Sequence, residues 1–313
     1  MTRGKDKPTI SVIIPTYNRA ERLQHAMASV LRQTCGDFEL IVVDNGSTDN
    51  TREIVTNTRD ARIHYISHPT NCGAAVARNI GIRGAKGEFI GFLDDDDEWL
   101  PCKLEKQLDT FRNSRSNVGV VYSGSSIISD RSGRTIHSFA SHSPGHKDID
   151  FLRTVTFSTS VPLIRKSCFL DVGLFDETLP GAQDKDMWIR LAKHYEFGFV
   201  PEILVKRYIH GEQISADLKI KIEAKEKIYR KYFDVLSLHP DIMADHLWRI
   251  GILYCIDGRS AEGMRCFWKA ILRCPSRREL YRDFALSFAA PQTHRRLLLA
   301  NTIENIDGIR LYC

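Results

Sequence analysis

The 313-residue chain has no apolar run approaching the roughly 18 to 20 residues of a membrane-spanning helix. Its first eight residues carry charges, and no apolar signal region follows them. At 42% hydrophobic residues the composition is too apolar for a disordered chain. We therefore expect a cytoplasmic globular protein with one large α/β core and a smaller appended unit.

Three sequence signatures are also missing. The eight cysteines include no CxxC pair, so we expect reduced thiols rather than a zinc cluster or a disulfide framework. No GxxxxGK[ST] phosphate loop is present, and no GxGxxG follows the first apolar run. These absences argue against P-loop and dinucleotide-dependent proteins.

Apolar, β-branched runs alternate with helical apolar spacing in the first hundred residues. The predicted strands are Ile10–Pro15, Leu40–Val43, Ile63–Ile66 and Glu88–Leu93. The predicted helices between them are Ala20–Gln33, Ser47–Asn57 and Ala74–Ala85. This alternation predicts an α/β fold, a mainly parallel Rossmann-like sheet with helices on both faces.

The pattern becomes less regular after a predicted helix at Pro101–Arg112. A strand at Val118–Ser123 and a turn at Asp130–Gly133 predict an antiparallel excursion at the sheet edge. Ser138–Asp150 is predicted to be a long loop, and long loops in compact domains are often functional. It is a candidate cover for a ligand site.

From residue 219 onward helical periodicity replaces the strand pattern, which divides the chain into domains 1–218 and 219–313. The second is predicted to be all-helical, with helices at Ile220–Leu236, Asp241–Cys255, Ala261–Leu272 and Arg277–Phe288. Residues 247–275 resemble one tetratricopeptide-type helical hairpin. A single repeat cannot stand alone, so we expect a docked hairpin.

Residues 219–313 hold 17 Lys and Arg against 11 Asp and Glu, whereas the whole chain has a net charge of only +5. A basic helical face is most often simply solvated, and no nucleic-acid-binding module accompanies it. It could instead attach the protein peripherally to the anionic inner face of the plasma membrane. The candidate residues are Lys219, Lys221, Lys225, Arg230 and Lys231. Contact with a protein partner or a second copy is the alternative.

Polar clusters follow three predicted strands, at Thr16–Arg19, Asp44–Asp49 and Asp94–Asp97. Because ligands of open α/β sheets bind at the carboxyl ends of the strands, the three clusters should face one crevice. Two carboxylates about 4 Å apart repel by roughly 4 kcal/mol at an effective dielectric near 20, so the four-Asp run favours a divalent cation. The alternatives are a solvated capping loop for the run and a simple turn role for Asp44.

Four segments together carry a family resemblance: SVIIPTYNRAERL, VVDNGSTDNT, NCGAAVARNIGIRGAKGEFIGFLDDDDEWLPCKLEKQL and GAQDKDMWIRL. In order and spacing they closely resemble the family 2 glycosyltransferases of the GT-A fold, over about residues 9–215. The resemblance implies a metal-dependent, inverting transferase that uses Mn²⁺ or Mg²⁺. Its donor would be a nucleotide-diphosphate sugar, with a uridine nucleotide preferred.

The same resemblance implies roles for individual residues. Asp184 would be the general base that deprotonates the acceptor hydroxyl, with Asp186 close enough to confuse the assignment. Asp96 would hold the metal, within a register uncertain by one residue, and His210 in YIHGEQIS would ligate the metal or contact the diphosphate. The nucleotide-sugar would lie against Pro15, Thr16, Tyr17, Asn18, Asp44, Arg78, Asp94 and Asp95.

One departure from the family pattern is present, and several alternatives stay open. Gln183 stands where many relatives carry Glu, which removes a negative charge beside the base. Asp184 could also merely cap a helix. The acceptor could be a glycan, a lipid-linked sugar, a protein or a small molecule, and surface-polysaccharide assembly is expected from the resemblance. A catalytically silent nucleotide-sugar-binding scaffold and a nucleotidyltransferase are the competing functions.

Overall fold

A computed structural model describes residues 7–139, 148–153, 157–210, 217–306 and 309–312. The chain divides into two compact units. The first comprises Met1–Glu177 and Gln183–Tyr208, and the second comprises Thr178–Ala182 and Ile209–Cys313. The boundary therefore falls after residue 208, whereas the sequence pattern places it after residue 218.

The described residues build one nine-stranded mixed sheet. Its strands are β1 (Ile10–Thr16), β2 (Phe38–Asp44), β3 (Ile63–Ser67), β4 (Phe89–Phe92), β5 (Asp97–Trp99), β6 (Val118–Ser129), β7 (Thr135–Phe139), β8 (Leu163–Arg165) and β9 (Glu196–Ile209). The order is β3-β2-β1-β4-β8-β6-β9-β5, and β7 pairs with β6. Strands β1 to β4 are parallel, and the pairs β4–β8, β6–β8, β6–β7 and β5–β9 are antiparallel.

The helices of the first unit follow the predicted alternation. They are α1 (Ala20–Leu31), α2 (Thr51–Asn57), α3 (Ala74–Gly84), α4 (Lys103–Arg112), α5 (Asp148–Arg153), α6 (Cys168–Val172) and α7 (Gln183–Ala192). Every residue of β1 and β2 is buried, which explains their continuous apolar sequences. The predicted α/β sheet is confirmed, and β6 and β7 form the predicted antiparallel pair, but β6 lies between β8 and β9 rather than at the sheet edge.

The long loop predicted at Ser138–Asp150 is shorter than expected at both ends. Strand β7 extends to Phe139, and α5 begins at Asp148. The intervening residues 140–147 lie outside the described part of the chain. The seven cysteines that the structure describes form no disulfide.

The second unit is built mainly from helices. They are α8 (Leu218–Lys231), α9 (Phe233–Ser237), α10 (Pro240–Ile256), α11 (Ser260–Arg273), α12 (Arg278–Ala289) and α13 (Pro291–Thr302). Two antiparallel strands follow, β10 (Ile303–Ile306) and β11 (Ile309–Tyr312), so the region is not helical throughout. The sequence carried this signal, because an Asp-Gly pair separates the two short strand-like runs.

Helices α10 and α11 form a close helical pair joined by residues 257–259. Two glycines allow their close approach: a Cβ at Gly263 would lie 2.4 Å from the Sγ of Cys255 and 2.9 Å from the carbonyl oxygen of Gly251. Phe267 is fully buried beside them in the apolar core of this unit. Among the described helices, none combines the length and apolarity needed to cross a lipid bilayer.

Candidate active site

The loops after β1 and β2 are joined by hydrogen bonds. The parallel register places Thr16 beside Asp44, so both loops begin at the same sheet edge. The N–H of Asn18 donates to the Oγ of Ser47 (2.9 Å), and the N–H of Thr48 donates to the Oδ1 of Asn18 (2.7 Å). Asn18 has a φ of +50°, which Asn tolerates better than most residues. The two loops therefore support one another.

The second loop is also tied to the chain that follows β3. The amide nitrogen of Asn45 donates to the Oδ1 of Asn71 (2.8 Å), and the N–H of Cys72 donates to the Oδ1 of Asn45 (3.1 Å). Gly46 has a φ of +83°, and a Cβ there would lie 2.8 Å from the carbonyl carbon of Thr70. Glycine is needed at this position for both backbone conformation and space.

Asp44 is held as a turn residue. Its Oδ1 accepts a hydrogen bond from the N–H of Ser47 (2.8 Å), and its Oδ2 accepts one from the hydroxyl of Tyr65. Burial and this bond to Asp44 raise the pKa of Tyr65 to about 12. Each carboxylate oxygen of Asp44 therefore already accepts one hydrogen bond. The predicted contact of Asp44 with the nucleotide stays a prediction.

The other predicted nucleotide residues of β1 differ in exposure. Pro15 is buried within the strand, whereas the ring of Tyr17 is 42% exposed just beyond it. Tyr17 is thus an aromatic surface at the sheet edge that a flat ring could stack against. Thr16 is buried, and its hydroxyl is turned toward the aspartate run.

Asp95 and Asp96 share one arginine. The Nη1 of Arg19 lies 3.0 Å from the Oδ1 of Asp95 and 3.0 Å from the Oδ2 of Asp96. The hydroxyl of Thr16 donates to the second oxygen of Asp95 (2.8 Å). Both aspartate side chains are buried, and the guanidinium of Arg19 supplies the positive charge that their proximity demands.

Asp94 is bound from a different direction. The Nη2 of Arg78 donates to its Oδ1 (2.7 Å), and the hydroxyl of Thr159 donates to the same carboxylate (3.2 Å). The Nη1 of Arg78 also donates to the Oε1 of Gln183 (3.2 Å), which begins α7. Arg78 thereby connects α3, the end of β4 and the start of α7, and its Nε lies buried without a hydrogen-bond partner among the described residues.

Asp97 is an internal, structural member of the run. Its Oδ2 accepts a hydrogen bond from the hydroxyl of Ser160 (2.6 Å), whose oxygen accepts one from the N–H of Asp94 (3.1 Å). Asp97 pairs with Arg207 in the β5–β9 ladder. Burial and the charge of Asp96 hold the pKa of Asp97 well above its usual value, although Arg207 opposes the shift.

These groups form a charged set that we call the strand-end cluster. Its members are Asp94, Asp95, Asp96, Asp97, Asp184, Arg19, Arg78 and Arg207. Five carboxyl groups thus face three guanidinium groups, an excess of two negative charges when all are ionised. Burial, together with the charge of Asp96, raises the pKa of Asp95 to about 6, although the charge of Arg19 and the hydrogen bond from Thr16 oppose the shift.

Asp184 and Asp186 have different environments on the same helix. Asp184 is half-buried in the first turn of α7, and its Oδ1 accepts a hydrogen bond from the N–H of Lys185 (2.8 Å). Burial raises its pKa, and the nearby charges of Arg78 and Arg207 oppose the shift. Asp186 is fully buried in an ion pair with Arg190 (2.9 Å). Asp186 is thus held in an ion pair, whereas Asp184 forms none within the described residues.

His210 belongs to the second unit, where it is buried. Its predicted role as a metal ligand therefore stays a prediction. Within the described residues, no group of three or more His, Cys, Asp or Glu side chains converges as a metal cage. Mg²⁺ is commonly bound by one or two carboxylates together with substrate phosphates, which does not require such a cage.

Sequence reasoning gave no role to several residues of this site. Arg19 lies within a segment that was singled out, but nothing in its spacing indicates that it reaches two aspartates 76 and 77 residues away. Thr159 and Ser160 carry no recognisable motif, and only the folded chain places their hydroxyls beside Asp94 and Asp97. The sequence shows only that Thr159 and Ser160 are adjacent hydroxyl residues, which does not indicate their position beside the acidic run.

The fold and the site define the class of protein. The structure superposes on S. aureus TarS 1–349 in complex with UDP-GlcNAc with a TM-score of 0.64 and 18% identity, over 96% of this chain and 95% of that one. It superposes on the Pyrobaculum calidifontis mannosyltransferase PcManGT in complex with GDP-Man and Mn²⁺ with a TM-score of 0.57 and 18% identity, over 95% and 86%. The chain has the GT-A fold.

Residues 11–171 match the model of glycosyl transferase family 2, and the chain belongs to that family. It is 41% identical over 240 residues to the putative teichuronic acid biosynthesis glycosyltransferase TuaG of Bacillus subtilis, which covers 74% of this chain and 90% of TuaG. It is 39% identical over 127 residues to WfgD of Escherichia coli, named as a UDP-Glc:α-D-GlcNAc-diphosphoundecaprenol β-1,3-glucosyltransferase, over 41% and 49%.

Some relatives are much longer than the matched segment. An uncharacterized glycosyltransferase of Rickettsia bellii is 30% identical over 237 residues, which are 74% of this chain but 34% of that protein. The chain thus matches about a third of the length of that relative.

Proposed function

We propose that this protein transfers a sugar from a UDP-sugar to an acceptor hydroxyl with inversion at the anomeric carbon. The observation that carries the proposal is the strand-end cluster. At the carboxyl edge of the sheet it brings Asp184 together with four other carboxyl groups, which outnumber the nearby guanidinium groups. The likeness to TuaG supports a role in surface polysaccharide or glycoconjugate biosynthesis.

The donor would lie across the loops after β1 and β2. The exposed ring of Tyr17 would stack on the base, while Asn18 and the β2 loop would line the ribose side. The buried Nε of Arg78, which has no partner among the described residues, is a donor suited to an anionic diphosphate oxygen. TarS in complex with UDP-GlcNAc and the UDP-Glc in the name of WfgD support a uridine nucleotide.

The strand-end cluster fits a divalent cation. Its ligands are hard carboxylate oxygens, which Mg²⁺ and Mn²⁺ prefer, and its five carboxyl groups outnumber its three guanidinium groups. Asp96 would hold the ion, and Asp94 and Asp95 would contact the ribose or donor sugar. When bound, the cation would stabilise the negative charge that develops on the departing diphosphate.

Asp184 would act as the general base. Its carboxylate is half-buried, accepts a hydrogen bond from a backbone N–H and makes no ion pair within the described residues. It would accept the proton of the acceptor hydroxyl while that oxygen attacks the anomeric carbon opposite the leaving diphosphate. Direct attack by one nucleophile inverts the anomeric centre and requires no covalent enzyme intermediate.

The experiment is a donor screen with matched variants. Release of nucleoside diphosphate from UDP-, GDP- and TDP-sugars would be measured with and without Mn²⁺ for the wild type, Asp96→Ala and Asp184→Asn. We expect Mn²⁺-dependent release from a UDP-sugar that Asp96→Ala abolishes. Donor binding without turnover of any sugar would favour a silent scaffold, and nucleotide incorporation into a sugar phosphate would favour a nucleotidyltransferase.

The proposal allows several classes of acceptor. A glycan, a lipid-linked sugar or a protein could supply the hydroxyl, and WfgD is named for a diphosphoundecaprenol acceptor. A lipid-linked acceptor would require contact with a membrane face. We include such peripheral contact, made by the basic second unit, in the proposal.

A further inference from the structure

Large apolar side chains are exposed unusually often on three consecutive helices. Five of the ten exposed large apolar residues in the described chain lie on α11, α12 and α13. Leu272 is 65% exposed and Phe288 is 76% exposed, values that a packed core residue never shows. Concentrated exposed apolar surface usually marks an interaction site.

Helix α11 has two distinct faces. Phe267, Ala270 and Ile271 are buried on one face, in the core of the second unit. The other face carries a row of exposed residues. Consecutive members of the row are three, one, three and one positions apart in the sequence, which places them on one side of a helix. The row consists of Arg265, Trp268, Lys269, Leu272 and Arg273.

Helix α12 continues this surface. Arg278, Tyr281 and Phe288 are exposed on it, and the ring of Trp268 on α11 lies 5.8 Å from the ring of Phe284 on α12. The two exposed rows are therefore adjacent. We call them together the α11–α12 surface.

The positive charges of this surface are not neutralised. Arg265, Lys269, Arg273 and Arg278 form no ion pair within the described residues, so their charges are available to a partner. The acidic groups of the two helices are engaged elsewhere: Glu262 pairs with Arg259 (3.0 Å) and Glu279 with Arg277 (2.8 Å), while Asp283 is buried.

The sequence alone pointed to helix α8, and membrane contact by that helix stays a prediction. On α8, Lys227 pairs with Glu223 (2.9 Å) and Arg230 pairs with Glu226 (3.1 Å). No exposed Trp or Phe lies within α8 itself. The α11–α12 surface, in contrast, combines free cations with exposed aromatic and aliphatic side chains.

We propose that the α11–α12 surface docks on an anionic lipid bilayer. Its cations would lie among the lipid headgroups, with Trp268 at the interface and Leu272 and Phe288 inserted toward the acyl chains. A nucleic acid would use the cations and stack on the aromatic rings, but it would leave Leu272 exposed. The inference rests on the peripheral contact included in the proposed function and specifies the surface that makes it. It concerns binding only, so it can fail while the transferase reaction stands.

The test is co-sedimentation of the full chain with phosphatidylglycerol-containing vesicles and with pure phosphatidylcholine vesicles. We expect binding only to the anionic vesicles, weakening as sodium chloride rises. Lys269→Glu/Arg273→Glu should weaken binding at least about tenfold, because each basic residue near an anionic surface contributes substantially. The matched control Lys219→Glu/Lys231→Glu makes the same charge change on α8 and should alter binding less than about twofold.

A second measurement does not depend on disruptive variants. Brominated acyl chains should quench tryptophan fluorescence of the wild type, and Trp268→Phe should remove that quenching while retaining binding. Absence of binding to anionic vesicles would overturn the proposal, as would equal losses in the α11 and α8 variants. Binding of single-stranded RNA without vesicles, or a Trp268-dependent dimer without vesicles, would equally overturn it.

Discussion

The strand-end cluster of the first unit buries its charges, whereas the α11–α12 surface of the second unit exposes them. In the strand-end cluster, Asp95 and Asp96 are buried and each lies 3.0 Å from the guanidinium of Arg19. On the α11–α12 surface, Lys269 and Arg273 are exposed beside apolar side chains. Buried charges held by ion pairs suit a small ligand with defined geometry, whereas exposed charges suit an extended surface. We therefore expect the sugar transfer at the strand-end cluster and membrane attachment at the α11–α12 surface.

The largest expected effect tests whether the buried acids have distinct roles. Asp184→Asn should lower kcat by roughly 10²- to 10⁴-fold with donor affinity retained, because a general base contributes about that much. Asp186→Asn should instead lower the free energy of unfolding by about 3 kcal/mol, because Arg190 would lose its buried partner. Steady-state kinetics, calorimetric donor binding and urea unfolding measure the two effects.

If Asp186→Asn were fully stable and inactive while Asp184→Asn kept its activity, the assignment of the base would be wrong. Asp184→Glu is a useful control, since it retains the carboxylate and moves it by one methylene. A partial recovery of kcat in that variant would tie the loss to proton transfer.

The second prediction concerns pH. Burial raises the pKa of Asp184, and a base must be deprotonated to act, so activity is lost as pH falls through this raised value. With donor and metal saturating, kcat/KM for the acceptor should fall about tenfold per pH unit below that point. The midpoint should lie above the usual Asp value of about 3.9. A flat profile down to the ordinary range of an aspartate would contradict the assignment.

The third prediction uses Arg19, which holds the carboxylates that the metal would need. Arg19→Ala should strengthen Mn²⁺ binding in the absence of donor by up to about tenfold, because two carboxylates lose a competing cation. Arg19→Lys, which keeps the charge, should change it less. Electron paramagnetic resonance titration of free Mn²⁺ measures both. Weaker binding in Arg19→Ala would mean that the arginine orients the carboxylates rather than competing for them.

The smallest expected effect concerns the α11–α12 surface and the rate of donor hydrolysis in solution. Lys269→Glu/Arg273→Glu should leave donor hydrolysis in solution within about twofold of the wild type, since exposed surface charges contribute little beyond their own contacts. Its vesicle binding should nevertheless be reduced. A large loss of hydrolysis in solution would show that surface and site are not separable.

The strand ends could be predicted from sequence because parallel strands share one carboxyl edge, and the polar residues after β1, β2 and β4 do cluster there. The hydrogen-bond and ion-pair partner of each aspartate could not be predicted from the sequence. Arg19, Thr159 and Ser160 reach the run only through tertiary packing, which has no periodic signature. The ion pair of Asp186, which lies close enough to Asp184 to confuse the assignment of the base, could not be predicted either, because its burial against Arg190 depends on the packing of α7. The β10–β11 pair was overlooked despite its Asp-Gly signal.

The hydrogen bonds between Asn18 and the β2 loop have a thermodynamic consequence. Because Ser47 and Thr48 are already held in the free protein, a donor would meet loops whose backbone is ordered in advance. Calorimetry of UDP binding should then show little conformational-entropy penalty for these loops. Asn18→Ala should preserve much of the binding enthalpy and make the entropy less favourable. A mobile lid would give the opposite pattern, in which ordering of the protein dominates the signature.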